Sequence, residues 1–267
     1  MLSVIIPTLN EEKCLSLLLA DLAGQIYRDF EVIVSDGSSA DSTVKIARKF
    51  KSKLPALTIV SSSKRHVCTQ RNFFAKTARG DILVFCDADS RIGPEFLLGL
   101  RYHWELSRAQ VLSFWFKPDI STPQNEAVAL AINLFRELQN NLKPSYLLEA
   151  LVAIDRKSFI SAGGFDDSVH FAEGSQLIRL LVKQGCVSKI VRDPVWKQSF
   201  RRFRQLGLLS IAGKVASLEL SKLAGKKYHK KLAQKIYPMG GQQFEFDNKT
   251  RNRFIDKIGR LLFDKIS

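Results

Sequence analysis

Short apolar runs alternate with segments of helical period through the first ninety or so residues. Leu2-Ser3-Val4-Ile5-Ile6-Pro7 is rich in β-branched residues and predicts a short buried strand. Glu12 to Gln25 sets Leu15, Leu18, Leu19 and Leu22 three and four apart, one stripe of a helix. Phe30 to Val34 predicts a second strand, ending in the polar turn Ser35-Asp36-Gly37-Ser38-Ser39. Asp41 or Ser42 is suited to cap the helix that runs through Val44, Ala47 and Phe50. Leu57 to Val60 is a third strand, and Asn72 to Ala78 a helix with Gly80 as its stop. Ile82 to Cys86 is a fourth strand, running directly into Asp87-Ala88-Asp89.

The second half is less regular. Pro94 to Arg108 and Gln124 to Leu138 read as helices, with strand-like Val111 to Phe116 between them. Gly163-Gly164-Phe165-Asp166 is a turn, Gln176 to Lys183 a helix and Val187 to Val191 a short strand. Strand and helix in repetition predict βαβ units and a mainly parallel sheet in an α/β fold. Ligands of such sheets bind at the carboxyl ends of strands. Three polar clusters fall there: Thr8 to Glu11, Asp36 to Ser39, and Asp87 to Asp89.

Composition changes little in this picture, and charge changes more. The 267 residues are 45% hydrophobic and 25% charged, which excludes disorder and disulfide scaffolds. Charged residues break every apolar run well short of the ~20 residues a membrane span needs. No basic leader precedes the first strand, so a cytoplasmic protein is expected. Cys14, Cys68, Cys86 and Cys186 form no C-x-x-C pair and read as core thiols. The formal net charge is +15, and residues 197–267 contribute +12 of it. This basic segment suits anionic lipid, nucleic acid or plain solvation, and it has no recognisable nucleic-acid motif. Leu206 to Leu223 has an apolar side carrying Leu209, Ala212, Ala216, Leu220 and Leu223. Lys226, Lys227, Lys230 and Lys231 follow it, the pattern of an interfacial helix or of one packed on the preceding domain.

Asp87 and Asp89 are two carboxylates one residue apart, a pair that can share Mg²⁺ or Mn²⁺ with a diphosphate. Asp36 can accept from a nucleobase imide or make an Asx-turn. Arg71 can pair with a phosphate through its planar fork or make a surface ion pair, and Lys64, Arg65 and His66 nearby can also pair with a phosphate. No glycine-rich loop follows the first strand, which speaks against dehydrogenases and nucleotidyltransferases.

These motifs, in this order, resemble the inverting family 2 glycosyltransferases of GT-A fold. The resemblance rests on Val4 to Glu12, on Asp36-Gly37-Ser38 through Asp41 and Thr43, and on Arg71 to Asp81. It continues through Phe85 to Asp89 and Gly163 to Asp166, and covers roughly the first 190 residues. It implies a GT-A catalytic domain over 1–196, with a nucleotide half at about 1–110 and an acceptor half at about 111–196. A basic, mostly helical extension would fill 197–267. The implied reaction moves a sugar from a nucleoside-diphospho-sugar to a lipid-linked or saccharide acceptor. By the same resemblance Thr8, Asn10 and Glu11 line the nucleotide pocket, and Asp36 holds the base. Arg71 serves the pyrophosphate, Asp87 lies near the ribose and Asp89 is the main metal ligand.

The family's acidic segment is altered here. It reads Phe171-Ala172-Glu173-Gly174-Ser175-Gln176-Leu177-Ile178-Arg179-Leu180. Counting back from Arg179, the register preferred because a Glu can reach where an Asp would, makes Glu173 the base that deprotonates the acceptor. Counting from the acidic pair puts Gly174 there and leaves no base. Asp166, Asp167 and His170 are weaker substitutes. A silent relative that only binds nucleotide-sugar or a partner is the alternative expectation. Gln198 to Phe203 is faintly similar to the Q-x-x-R-W motif of processive members, with Arg201 or Arg202 as a diphosphate contact.

Overall fold

The structure is a computed structural model that describes residues 1–61, 66–142, 147–168 and 173–207. Met1–Phe200 forms one compact unit and Arg201–Ser267 a second. In the second unit the described part is one helix, α8 (Arg201–Leu206), with Gly207 after it. The expected interfacial stretch from Leu206 and the lysine cluster fall almost wholly outside the described residues.

The first unit opens with β1 (Leu2–Thr8), α1 (Leu15–Ala23), β2 (Phe30–Asp36), α2 (Thr43–Arg48) and β3 (Leu57–Ser61). Then come α3 (Val67–Thr77), β4 (Ile82–Cys86), β5 (Arg91–Ile92), α4 (Phe96–Ser107), β6 (Val111–Pro118) and α5 (Pro123–Leu142). It closes with β7 (Leu151–Asp155), α6 (Arg156–Ser161), α7 (Glu173–Lys183) and β8 (Ser188–Gln198). The eight strands make one sheet in the order β3-β2-β1-β4-β7-β6-β8-β5. The run β3-β2-β1-β4 is parallel throughout. β7 is antiparallel to both β4 and β6, so the sheet is mixed.

Alternation along the strands explains why the early runs are apolar at successive positions. Ile5, Ile33, Leu83, Phe85, Val152 and Ile154 face one side and join a core with Phe74, Phe159, Phe165, Leu177 and Leu181. The intervening Val4, Ile6, Val32, Val34 and Val84 are buried as well, so the sheet is covered on both faces.

Several expectations are corrected. The third helix begins at Val67, five residues before Asn72. Gly80 is not a left-handed stop; the helix closes at Ala78. A Cβ on Gly80 would lie 2.8 Å from both the Leu2 carbonyl carbon and the Met1 oxygen. Glycine is there because the chain crosses the start of β1 without room for a side chain. The last strand is longer than Val187 to Val191 and runs to Gln198. β7 and α6 were not expected from the pattern, because Leu151 to Asp155 carries no period to distinguish strand from helix.

Helix α5 is turned against the usual polarity. Asn133 and Arg136 are buried, whereas Leu130, Leu134, Phe135, Leu138 and Leu142 are 47–77% exposed. β7 pairs with β6 only at Val111 to Ser113. Beyond that point the main chain of Phe114 and Phe116 on the β7 side needs other partners. Asn133 supplies both for Phe116, accepting from its N–H at 3.3 Å and donating to its oxygen at 2.8 Å. Arg136 donates to the Phe114 oxygen at 3.1 Å. The polar side of α5 therefore faces inward.

Candidate functional site

The carboxyl ends of β2, β1 and β4 are neighbours, with β1 in the middle. At ~4.8 Å per strand they span about 10 Å, the scale of a nucleotide. The sequence-predicted residues divide between two places along this edge.

The first place joins the ends of β1 and β2. Thr8 and Asp36 are paired in register and both buried. Thr8 Oγ1 donates to Asp36 Oδ1 at 3.1 Å. Ser39 donates to the same carboxylate twice, from Oγ at 2.5 Å and from N–H at 2.9 Å. Asp36 thus ties down its own loop through the N–H three residues on, a longer span than the Asx-turn expected as one reading. Ser39 Oγ also accepts from Asn10 N–H at 2.9 Å, and Asn10 Oδ1 accepts from Ala40 N–H at 2.8 Å. Glu11 N–H donates to Thr43 Oγ1 at 2.8 Å, and the Glu11 side chain is buried.

Asp41 completes this lattice. Its Oδ1 accepts from Thr43 N–H and Oγ1, and its Oδ2 accepts from Glu12 N–H. Burial raises the Asp41 carboxyl, but these hydrogen bonds outweigh it and hold it below its ordinary value. Ser42 occupies the N-cap position of α2 without a side-chain cap, so of the two expected residues Asp41 does the capping. Asn10 (φ 56°) and Ser38 (φ 62°) are both left-handed on these facing loops. Such strain persists only where surroundings impose it, and it gathers at binding sites.

The second place is the end of β4. Arg71, buried on α3, donates from Nη2 to Asp87 Oδ1 at 2.7 Å and to the Glu149 oxygen at 3.2 Å. Its guanidinium stacks over Phe165 at 5.4 Å. Phe165 packs on Phe85 and Phe159, so the charge rests on an aromatic platform. The Asp87 side chain is 38% exposed. Asp87 N–H donates to the Ala150 oxygen at 2.8 Å, and Ser90 N–H to the Asp87 oxygen, which pins the loop carrying Asp89 against the start of β7. Burial pushes the neighbouring Cys86 thiol far up, and the Asp87 charge adds to it, so Cys86 is no nucleophile.

Asn72 connects two motifs that lie far apart in the chain. Its Oδ1 accepts from Phe165 N–H at 2.8 Å and its Nδ2 donates to the Phe165 oxygen at 2.6 Å. Gly164 has φ +78°, and a Cβ there would meet Asn72 Oδ1 at 2.5 Å. The Arg-Asn pair and the Gly-Gly-Phe-Asp turn are one assembly. Arg71 serves the Asp-Ala-Asp loop, and Asn72 holds the turn that presents Phe165.

Asp166 makes a local turn, accepting from Ser168 N–H and Oγ, and these bonds lower its carboxyl. Glu173 opens α7, but its side chain, like Lys64, Arg65 and His170, lies outside the described residues. Sequence reasoning gave Ser39, which it placed in a polar cluster, and Asn72, which it quoted in a motif, no role of their own, and it passed over Glu149. A pattern of spacing exists for the first two, inside motifs already quoted; Glu149 has none.

The donor set suits a hard divalent ion. Asp87 and Asp89 offer carboxylate oxygens, and among the described residues no group of three or more His, Cys, Asp or Glu is gathered for a metal. Protein would supply the lesser part of an octahedron, as is usual when phosphates supply the rest.

The chain belongs to glycosyl transferase family 2, whose family model matches residues 3–153. Among curated relatives it is 37% identical over 98 residues to the poly(ribitol-phosphate) beta-N-acetylglucosaminyltransferase TarS of Staphylococcus aureus, 36% of this chain and 17% of that protein. It is 27% identical over 229 residues to chondroitin synthase of Escherichia coli, 71% of this chain and 33% of that protein. It therefore spans a third or less of the length of either. Among solved structures, the mannosyltransferase PcManGT of Pyrobaculum calidifontis, in complex with GDP-Man and Mn²⁺, matches with TM-score 0.64. Identity is 21%, over 88% of this chain and 67% of that one. S. aureus TarS 1–349 in complex with UDP-GlcNAc matches with TM-score 0.61 and 19% identity, over 96% and 78% of the two chains. These likenesses show the fold, which is of GT-A type.

Proposed function

We propose that this chain transfers a sugar from a nucleoside-diphospho-sugar to an acceptor hydroxyl, inverting the anomeric carbon. The observation that carries the reading is the shared edge of β2, β1 and β4. One end holds the Thr8–Asp36 lattice, and the other holds the Arg71–Asp87 pair beside Asp89. An arrangement of this width, in a member of this family, suits a base at one end and a diphosphate at the other. Thr8, Asn10 and Glu11 line the nucleotide side, and Asp36 faces the base. Arg71, fixed by Asp87 and the Phe165 platform, sets positive charge beneath the pyrophosphate. Asp89, with Asp87, would hold Mg²⁺ or Mn²⁺. Bound there, the ion would neutralise charge on the departing diphosphate as a Lewis acid. The relatives crystallised with UDP-GlcNAc and with GDP-Man favour a panel of both bases.

The test is thermal shift with UDP-GlcNAc, UDP-Glc and GDP-Man, each with and without Mn²⁺, on wild type and Asp89→Ala. Saturation at 100 times Kd adds about 2.7 kcal/mol. A metal-dependent shift for one donor, lost in the variant, is expected. No shift with any of them would defeat the reading. Asp87 is a poorer probe, because its carboxylate also positions buried Arg71, so its removal disturbs the site for a structural reason as well.

For the acceptor, we favour one held at an anionic membrane surface. Among the described residues no helix is long and apolar enough to cross a membrane. The basic stretch 197–267, which carries +12 of the net charge of +15, supports peripheral attachment to the inner leaflet, and the outward leucines of α5 add an apolar surface that suits it.

A further inference from the structure

We infer that Glu149, and not a residue of the altered acidic segment, is the base that takes the proton from the acceptor hydroxyl. The inference rests on the sugar-transfer reading and adds a residue to it. Glu149 stands two residues before β7. Its backbone oxygen accepts from Arg71 Nη2, the same nitrogen that binds Asp87. The next residue, Ala150, receives the Asp87 N–H. Glu149 is thus tied by main chain to the loop that carries Asp87 and Asp89.

Its side chain turns to the start of α7, where Oε1 accepts from Gly174 N–H. The packing at that contact is specific. A Cβ on residue 174 would lie 2.6 Å from Glu149 Oε1 and 2.9 Å from both Cδ and Cγ. The carboxylate of Glu149 therefore fills the volume that any side chain at position 174 would take. In the second register of the acidic segment, position 174 is where a base is missing. The two facts are one arrangement: a glycine on the helix, and a carboxylate delivered to the same spot from the β7 side.

The step balances without a further reactant. Glu149 accepts the hydroxyl proton as the acceptor oxygen bonds the anomeric carbon. The bond from that carbon to the diphosphate breaks, and its electron pair leaves with the diphosphate.

The experiment uses the full chain and the donors UDP-GlcNAc, UDP-Glc and GDP-Man with Mn²⁺, with water as acceptor. It reads release of nucleoside diphosphate alongside the donor-induced thermal shift. Glu149→Gln keeps an oxygen to accept from Gly174 N–H, so the fold and the thermal shift should persist while kcat falls 100-fold or more and KM holds. Moving the carboxylate should restore part of the rate: Glu149→Gly with Gly174→Asp should run at least tenfold faster than Glu149→Gly alone. A Glu149→Gln chain within threefold of wild type overturns the inference and leaves the sugar-transfer reading standing. So does a double variant no faster than Glu149→Gly. A wild type that neither binds nor cleaves any of the three donors overturns both.

Discussion

At the scale of single residues, carboxylates in this protein do two kinds of work. Asp41 and Glu31 are acceptors for their own chain, whereas Asp36, Asp87, Asp89 and Glu149 lie along one edge of the sheet. Glu31 is the clearest structural case. It accepts from Ser3 Oγ at 2.7 Å, Arg79 N–H at 2.6 Å and Arg79 Nε at 2.8 Å. Burial raises its carboxyl, but the bonds from Ser3 and Arg79 prevail and lower it. Because the folded value lies below the unfolded one, the unfolded chain binds more protons across that interval. The stabilisation is complete above the unfolded value of about 4.3 and is lost as pH falls toward the folded one. Glu31→Gln should cost about 1–3 kcal/mol at pH 7, with the gap narrowing below pH 4. Urea unfolding at a series of pH values measures this, and a gap that does not depend on pH would contradict it.

At the scale of elements, α5 shows why a helix in a folded protein need not turn its leucines inward. β6 outruns its pairing with β7, and its bare main chain costs more than exposed leucine side chains do. Asn133 answers that need, so a more apolar residue there should destabilise. Asn133→Leu leaves the Phe116 N–H and oxygen without their partner, at about 1–3 kcal/mol. A chemical denaturation midpoint equal to or above wild type would mean that another group satisfies them. The same logic governs the turn at Gly164, whose glycine follows from φ +78° and from Asn72 pressed against it.

At the scale of the whole molecule, the membrane proposal draws on two separate features, net charge and the apolar stripe of α5. A chain of net charge +15 is drawn to anionic surfaces, and the attraction weakens as salt rises. On that proposal the apolar stripe of α5 would add a second, salt-insensitive contribution. In co-sedimentation, the protein should pellet with vesicles containing anionic lipid at low salt and be largely released at 0.5 M salt. Leu134→Glu with Leu138→Glu should weaken pelleting at intermediate salt and leave the donor-induced thermal shift intact. Equal pelleting with uncharged vesicles, or none with anionic ones, would remove the membrane reading.

How much of this was legible in the residues alone follows from the range of the interactions involved. β1, β2 and β4 were legible because each is a short apolar run bounded by polar turns, a local signal. Their ends carry Thr8, Asp36 and Asp87 because parallel strands direct their loops to one edge, so the clusters could be read together before any contact was known. The direction of β7 was not legible, since hydrophobicity specifies burial but not which way a strand runs. Nor were the contacts between Asn72 and Phe165, 93 residues apart, or between Glu149 and Gly174, 25 apart. The sequence itself offered two registers, one with Glu173 as base and one with Gly174 where an acid was expected, and could not show what stands beside that glycine. Three-dimensional packing decides what stands in that space, because the volume left empty by one side chain is filled by whichever neighbour the fold brings beside it.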